Sequence, residues 1–392
     1  MKILITSDWY TPAVNGVVTS VKNLRQGLEA RGHEVRILTL SQTARSWEQD
    51  GVTALGSAAV GLIYPGARLL TALGGRYIRE LVAWGPDVVH SQCEFSTFFL
   101  ARRIAEELNI PLIHTYHTIY EDYTHYFSPS VKFGRKAVAV FSRWVASQAD
   151  CLIAPTAKVR RLLLAYGVAC PVSVIPSGIG LEPFRGEGDP ARQSVLRRIL
   201  GIPREHLILV NVGRLAGEKN LEELLRFRAA LGEAPVTLLL VGDGPHRPCL
   251  EGMAGKLGLA APSVVFAGMA PPSQVADWYR LGDLFVGAST SETQGLTYVE
   301  ALASGVPLLC RADPCLSEML REGENGWQYQ GEADFCRRLE DFLCHPALRE
   351  RMGQAARRSA EPFSAEHFAE RMEGVYRKQC ARRGGYFREV PA

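Results

Sequence analysis

The chain has 392 residues, 47% apolar and 22% charged, which excludes a disordered polypeptide and leaves room for two or three domains at roughly 150 residues each. Its 44 Lys and Arg against 41 Asp and Glu leave a formal net charge of +3, too small an excess for a dedicated nucleic-acid binder. No run reaches the ~18 apolar residues of a membrane span, and the apolar start MKILITSD is broken at Asp8, so it reads as a first strand rather than a secretory signal.

The elements expected in chain order are mostly short, continuous apolar runs alternating with helical patterns. Strands are expected at 2–7, 35–40, 87–90, 111–115, 151–155 and 172–175, then at 207–213, 236–242, 264–268, 284–289 and 307–310. Continuous apolar runs indicate strands covered on both faces, as in parallel sheets. Helical segments are expected at 17–31, 97–108, 157–167, 220–231, 246–258 and 273–281, giving an α/β fold of doubly wound sheets. The stretch 176–189, PSGIGLEPFRGEGD, has neither period and reads as a linker between two similar halves. Near the C-terminus, Phe368, Met372 and Tyr376 share one side of an expected helix. The expected division is 1–178, 179–362 and a C-terminal helix and tail, 363–392, packing back on the first domain. Two such halves imply a ligand site at the carboxyl ends of strands, in a cleft.

Six segments could carry chemistry. After the first strand, Asn15-Gly16 is expected as a flexible turn leading into a helix whose N-terminus suits an anion; the alternative is a plain strand-to-helix turn. In VGRLAGEKN, Arg214 and Lys219 flank a strand-end loop and suit two adjacent phosphates. In VGDGP, Asp243 either contacts a ligand or caps the next helix. SETQGLTYVEALASG places Glu292 and Glu300 eight apart, with Thr293, Gln294, Gly295 and Leu296 leading into a helix, so several backbone N–H groups meet at one point. HTYHTIYEDYTHYF (114–127) holds three His and four Tyr, a density that suits a sugar or a lipid headgroup. In SVKFGRKAVAVFSRWVASQ (130–148), Lys132, Arg135, Lys136 and Arg143 interleave with Phe133, Phe141 and Trp144. That reads either as a basic amphipathic helix for a lipid interface or as a helix with one core face and one solvated basic face.

The nine cysteines are odd in number and scattered, with no C-x2-C pair; they are expected as buried thiols in a reducing compartment, with no metal site.

Together these segments resemble the retaining glycosyltransferases of family four, which have the GT-B fold of two Rossmann-like domains. Within that family, SDWYTPAVNGVVTSV, HSQCEFS, HTYHTIYEDYTHY and SETQGLTYVEALASGVPLLCRADPCL look like the bacterial diacylglycerol glucosyltransferases, of the 1,2-diacylglycerol 3-alpha-glucosyltransferase type. The resemblance implies transfer of a hexose, taken as glucose, from a UDP-sugar to diacylglycerol. It implies no cofactor and no metal, and there is no Asp-x-Asp to hold one.

Arg214 and Lys219 would hold the diphosphate, Glu300 the ribose, and Glu292 with the amides of Thr293, Gln294, Gly295 and Leu296 the sugar and phosphate. Gly16, Asp243 and Met269 would complete the donor site, with the strand end 266–269 meeting the uracil. His117 would touch the transferred sugar. Glu94, Tyr120, Tyr123, Lys132, Arg135, Lys136, Phe141, Arg143 and Trp144 would face acceptor and membrane. The protein is then expected in the cytoplasm, bound peripherally to an anionic membrane face, without nucleic-acid partners. Residues 1–196 carry 20 Lys and Arg against 16 Asp and Glu, while 197–392 carry 24 against 25, so the positive excess lies in the half expected to meet the acceptor. Alternatives are a family member with a soluble or polyisoprenoid-linked sugar acceptor, a UDP-sugar epimerase on the same fold, and a non-catalytic sugar-nucleotide binder.

Overall fold

The structure, a computed structural model, describes residues 1–60, 68–71, 75–121, 131–186 and 188–384. It divides into two units, one of Met1–Ile179 with Ala365–Ala392, the other of Gly180–Ser364.

The first unit is built on β1 (Lys2–Thr6), β2 (Glu34–Leu40), β3 (Trp47–Gln49), β4 (Val52–Leu55), β7 (Val88–Ser91), β8 (Leu112–Thr115), β9 (Cys151–Ala154) and β10 (Val172–Val174). Their order is β10-β9-β8-β7-β1-β2-β4-β3, parallel except for the β3–β4 pair. A separate ribbon joins β5 (Ser57–Ala59) to β6 (Arg68–Leu70). The helices are α1 (Gly16–Ala30), α2 (Gly75–Trp84), α3 (Ser96–Leu108), α4 (Val131–Ser147) and α5 (Ala157–Ala165). Helix α13 (Ala365–Arg382), from the far end of the chain, belongs to the same unit.

Strand alternation explains the layers. Ile3 and Ile5 of β1 pack with Val21, Leu24 and Leu28 of α1 and with Phe368, Met372 and Tyr376 of α13. Leu4, between them, points to the other face and packs with Ile78 and Leu81 of α2, Phe98 and Ile104 of α3 and Val145 of α4. Helices on both faces leave the central strands no exposed side, hence their largely apolar sequences.

The second unit has one parallel sheet of β11 (Leu207–Val212), β12 (Val236–Val241), β13 (Val264–Gly268), β14 (Leu284–Gly287), β15 (Leu308–Arg311) and β16 (Gly326–Tyr329). The order is β13-β12-β11-β14-β15-β16, the doubly wound arrangement of dinucleotide-binding folds. Its helices are α6 (Pro190–Ile199), α7 (Leu221–Ala230), α8 (Arg247–Lys256), α9 (Val275–Leu281), α10 (Leu296–Ala303), α11 (Glu332–Cys344) and α12 (Pro346–Ala360).

One expectation needs correction. Asn15-Gly16 is not a flexible turn: Asn15 is the N-cap of α1, its Oδ1 accepting from the Val18 N–H at 2.9 Å, and Gly16 is the first helical residue. A cap with a short polar side chain starts the helix directly, so no left-handed glycine is needed. The segment 176–189, expected as a linker, holds the boundary between the two units at Ile179–Gly180, and its first residues are packed. Ser177, Ile179 and Leu181 are buried, and Ser20 Oγ and Asn23 Nδ2 of α1 donate to Ser177 Oγ and Gly178 O at 2.9 and 3.0 Å.

Candidate active site

In each sheet the winding reverses once, and the strand-end loops on either side of that reversal form a crevice for ligands. In the second unit it falls between β11 and β14. The loop after β11 carries Arg214 and Lys219, and the loop after β14 carries Glu292, Thr293, Gln294 and Gly295. The two loops are joined: Ser289 Oγ and Ser291 Oγ donate to Glu218 O at 3.4 and 3.3 Å, and Asn220 Nδ2 donates to Ala288 O at 3.4 Å.

Neither cation stands alone. Lys219 Nζ donates to Glu292 Oε1 at 2.5 Å, with both side chains partly shielded from water. Arg214, half-exposed, pairs with Glu218. The two cations are thus each balanced by a carboxylate. A diphosphate would draw on Lys219 and Arg214 in competition with two carboxylates.

Helix α10 opens at Gly295, whose φ of 77° is left-handed. A Cβ there would lie 2.5 Å from the Tyr298 ring, so only glycine fits this turn. No side chain caps the N-terminus of α10, an arrangement that suits an anion. Gln294 is buried beside it and Thr293 and Leu296 are partly exposed.

One turn further, Glu300 accepts from the Tyr279 hydroxyl of α9 at 2.7 Å. Burial pushes the Glu300 carboxyl up to about 7, against the lowering effect of that bond. A carboxylate short of donors in a shielded place suits a ligand bringing hydroxyl groups.

A third loop, after β12, nests on the loop after β11. Leu215 N–H donates to Asp243 O, and His246 N–H donates to Leu215 O, both at 3.0 Å. A Cβ on Gly242 would fall 1.9 Å from Gly213 O, and one on Gly244 would fall 2.3 Å from Leu215 O. The G-D-G sequence is therefore required by backbone-to-backbone contact. Asp243 does not cap α8, whose N-cap is His246. Its carboxylate accepts from Gly244 N–H and faces Arg247 at 3.5 Å, because the tight turn places it one turn before the helix. Met269, 68% exposed, stands just past β13.

In the first unit the reversal lies between β1 and β7. Asp8, after β1, accepts from the Ser96 and Thr97 N–H groups at 3.1 and 2.7 Å, capping α3 from another element. Burial raises its carboxyl to about 6. After β7 come Gln92 and Glu94, both buried. Glu94 accepts from the Tyr120 hydroxyl at 2.5 Å and from His114 Nε2 at 3.3 Å. His117 Nε2–H donates to Gln92 Oε1 at 2.7 Å. Burial holds the His117 ring down at about 4, so it is neutral at pH 7 and its Nδ1 remains an acceptor.

The structure thus gathers Glu94, Tyr120 and His117 in one unit, and Arg214, Lys219, Glu292 to Leu296 and Glu300 in the other. Tyr123 lies outside the described residues. On α4, Lys132, Arg135 and Lys136 are exposed, while Arg143 Nη1 donates to Tyr166 O at 2.8 Å. Away from the core, α4 carries exposed apolar side chains beside these cations. Phe133, Ala137, Val140, Phe141 and Trp144 line an open apolar groove of about 570 Å³, with Lys136 at its edge. Phe133 and Val140 are 69% and 57% exposed. An aromatic path leads inward from this groove, Phe141 to Tyr120 at 6.2 Å between ring centroids, and Tyr120 to Glu94.

Gln92, Asp8, Glu218 and Tyr279 were missed by sequence reasoning. Glu218 sits inside the Arg214–Lys219 loop and its spacing of four from Arg214 was a usable signal. The other three act across long stretches of chain that no local pattern reveals.

Two family descriptions match the chain, Glycosyltransferase Family 4 over residues 14–183 and Glycosyl transferases group 1 over residues 193–359. The alpha-monoglucosyldiacylglycerol synthase of Streptococcus pneumoniae is 35% identical over 96% of this chain and 85% of its own length. The protein of the same name from Acholeplasma laidlawii is 31% identical over 96% of both chains. Among solved structures, Anabaena HepE in complex with UDP and glucose superposes with a TM-score of 0.75 at 17% identity, covering 96% of this chain and all of that one. Two doubly wound units with loops of this kind at their strand ends, and similarity along nearly the whole length, make this chain a member of glycosyltransferase family 4 with the GT-B fold.

Proposed function

We propose that the protein transfers an α-glucosyl group from UDP-glucose to the free hydroxyl of diacylglycerol, with retention of configuration, while bound peripherally to an anionic membrane face. The observation that carries the lipid acceptor is the apolar groove of α4, with its aromatic path to Glu94 and Tyr120. A helix that covers the core with one face and exposes Phe133 and Val140 on another is stabilised by a second apolar medium. Lys132, Arg135 and Lys136 on the same helix suit anionic headgroups at about 1 kcal/mol each. The names of the two bacterial relatives agree with this acceptor and with glucose. No helix among the described residues is long and apolar enough to cross a membrane, so docking from one side is the mode proposed.

In the reaction, the bond between the anomeric carbon and the β-phosphate oxygen breaks and its electrons go to UDP. The acceptor hydroxyl bonds to the same carbon from the face the phosphate leaves, and its proton passes to the departing phosphate oxygen. Lys219, Arg214 and the N–H groups opening α10 are proposed to stabilise the charge growing on UDP; pre-organised donors of this kind are typically worth ~10²–10³ each in rate. Glu300 takes the ribose hydroxyls, Glu292 the sugar hydroxyls, and the strand end at Phe266 and Met269 the uracil. Asp243 braces the phosphate loop through its main chain. His117, neutral and with Nδ1 open, accepts from a sugar hydroxyl, and Gly16 completes the donor site at the start of α1.

The test is incubation with radiolabelled UDP-glucose or UDP-galactose and diacylglycerol in anionic mixed micelles, followed by thin-layer chromatography of the lipid. Label from UDP-glucose in one α-glycolipid is expected, with mild alkali stripping its acyl chains and moving the label to the water phase. Transfer only to water-soluble sugars would overturn the lipid reading, and release of a converted UDP-sugar without acceptor would make the protein an epimerase.

A further inference from the structure

Helices α7 and α8 pack side by side, and three side chains from their first turns converge. Glu222 is the second residue of α7, His246 immediately precedes α8, and Cys249 is the third residue of α8. His246 and Cys249 are three apart, so they share a side of the helix. The His246 ring is already bonded to the Glu222 carboxylate. One ligand atom from each of Glu222, His246 and Cys249 lies within 4.8 Å of the other two. The His246 backbone N–H, donating to Leu215 O at 3.0 Å, fixes where the ring begins. None of the three has a part in the glycosyl transfer described above, and Cys249 is open to solvent.

We propose that Glu222, His246 and Cys249 bind a divalent transition-metal ion of the zinc class, with water as fourth ligand. An imidazole nitrogen, a thiolate and a carboxylate oxygen make a mixed set that suits zinc or cobalt and not magnesium or calcium, which take oxygen alone. Bonds of ~2.0–2.3 Å to a tetrahedral ion require the three donors to draw closer together than the 4.8 Å within which they now lie. Binding displaces the thiol proton of Cys249 and the bond between His246 and Glu222. The ion would clip α7 to α8, the helices that follow the loops of Lys219 and Asp243. The sequence expectation of no metal rested on the absence of C-x2-C and Asp-x-Asp and passed over this His-x2-Cys spacing.

The full-length chain, freed of metal under reducing conditions, is titrated with cobalt(II) and then with zinc. About one cobalt per chain, with tetrahedral absorption and a thiolate-to-cobalt charge-transfer band that zinc abolishes, is expected. Cys249→Ser, an exposed change that leaves the fold intact, should remove the charge-transfer band. His246→Ala should weaken cobalt binding by about tenfold or more. Cys344→Ser, at the other exposed thiol, should leave the band unchanged. No thiolate band in the unaltered chain, a band that survives Cys249→Ser, or one lost in Cys344→Ser would each overturn the site.

Discussion

Burial favours the neutral form of both Glu300, pushed up to about 7, and His117, held down at about 4, and this has consequences that can be measured. For Glu300 the folded protein binds a proton more readily than the unfolded chain between pH 4.5, its ordinary value, and pH 7. Stability contributed by this carboxyl therefore falls as pH rises through that window and stays at its low level above it. The penalty is on the order of 3 kcal/mol, and Glu300→Gln should flatten the pH dependence of the melting temperature there. If the ribose hydroxyls donate to this carboxylate, they favour its charged form. UDP binding near pH 7 should then release a proton, read by calorimetry in buffers of different ionisation heat, and Glu300→Gln should abolish the release. Proton uptake, or no buffer dependence in the unaltered protein, would sink the ribose assignment. For His117 the sign is reversed. The unfolded chain takes the proton first, so stability falls as pH drops from about 6.5 towards 4.

Helix α4 is the element whose reading changed most between sequence and structure. Its cations and aromatics alternate closely enough that the pattern alone fits either a membrane helix or a core helix with a basic surface. Only its placement shows Val138 and Val145 buried while Phe133 and Val140 stand exposed. Replacing Phe133 and Val140 together by Ser should cost the fold little, since neither is in the core. Each apolar side chain moved into lipid is worth about 1.5–3 kcal/mol, so partitioning onto phosphatidylglycerol vesicles in flotation assays should drop by at least about 100-fold. Unchanged flotation would remove α4 from the membrane contact. Elsewhere most elements were legible where burial is continuous, although β4, buried throughout, was missed. The central strands β1, β11 and β12 are largely apolar, each with a run of three or more apolar residues, because helices cover both faces. The three-residue strands β3, β5 and β6 are short and partly or wholly exposed, so they show no period. The candidate site was legible in its residue types, Arg214, Lys219, Glu292 and Glu300, but not in its pairings. The Lys219–Glu292 contact joins positions 73 apart, and Tyr279 and Gln92 come from elements that only the sheet order brings near Glu300 and His117.

At the scale of the whole molecule, the chain leaves its first unit at Ile179 and re-enters it at Ala365, which makes the last helix part of the first unit's core. Phe368, Met372 and Tyr376 are buried against β1 and α1, and the Tyr376 hydroxyl pairs with His90 Nδ1 at 2.7 Å. Gly27 of α1 allows the close approach, since a Cβ there would lie 2.8 Å from Ala369 Cβ. At the rim, Arg31 Nε donates to Glu373 Oε2 at 2.7 Å. Burial works to raise the Glu373 carboxyl, but the bonds from Arg31 and Arg377 outweigh it and hold the group at about 2. Three large apolar side chains are together worth roughly 5–9 kcal/mol of burial, a large part of the ~5–15 kcal/mol that holds a domain folded. A chain stopped after Ser364 should therefore lose its first unit while keeping its second. Limited proteolysis is expected to degrade residues 1–179 and leave a resistant fragment close to 180–364 that still binds UDP, while glucosyl transfer is absent. The whole chain should show no such fragment under the same digestion. A shortened chain whose first unit still resists protease would show that α13 is an accessory to that core rather than a part of it.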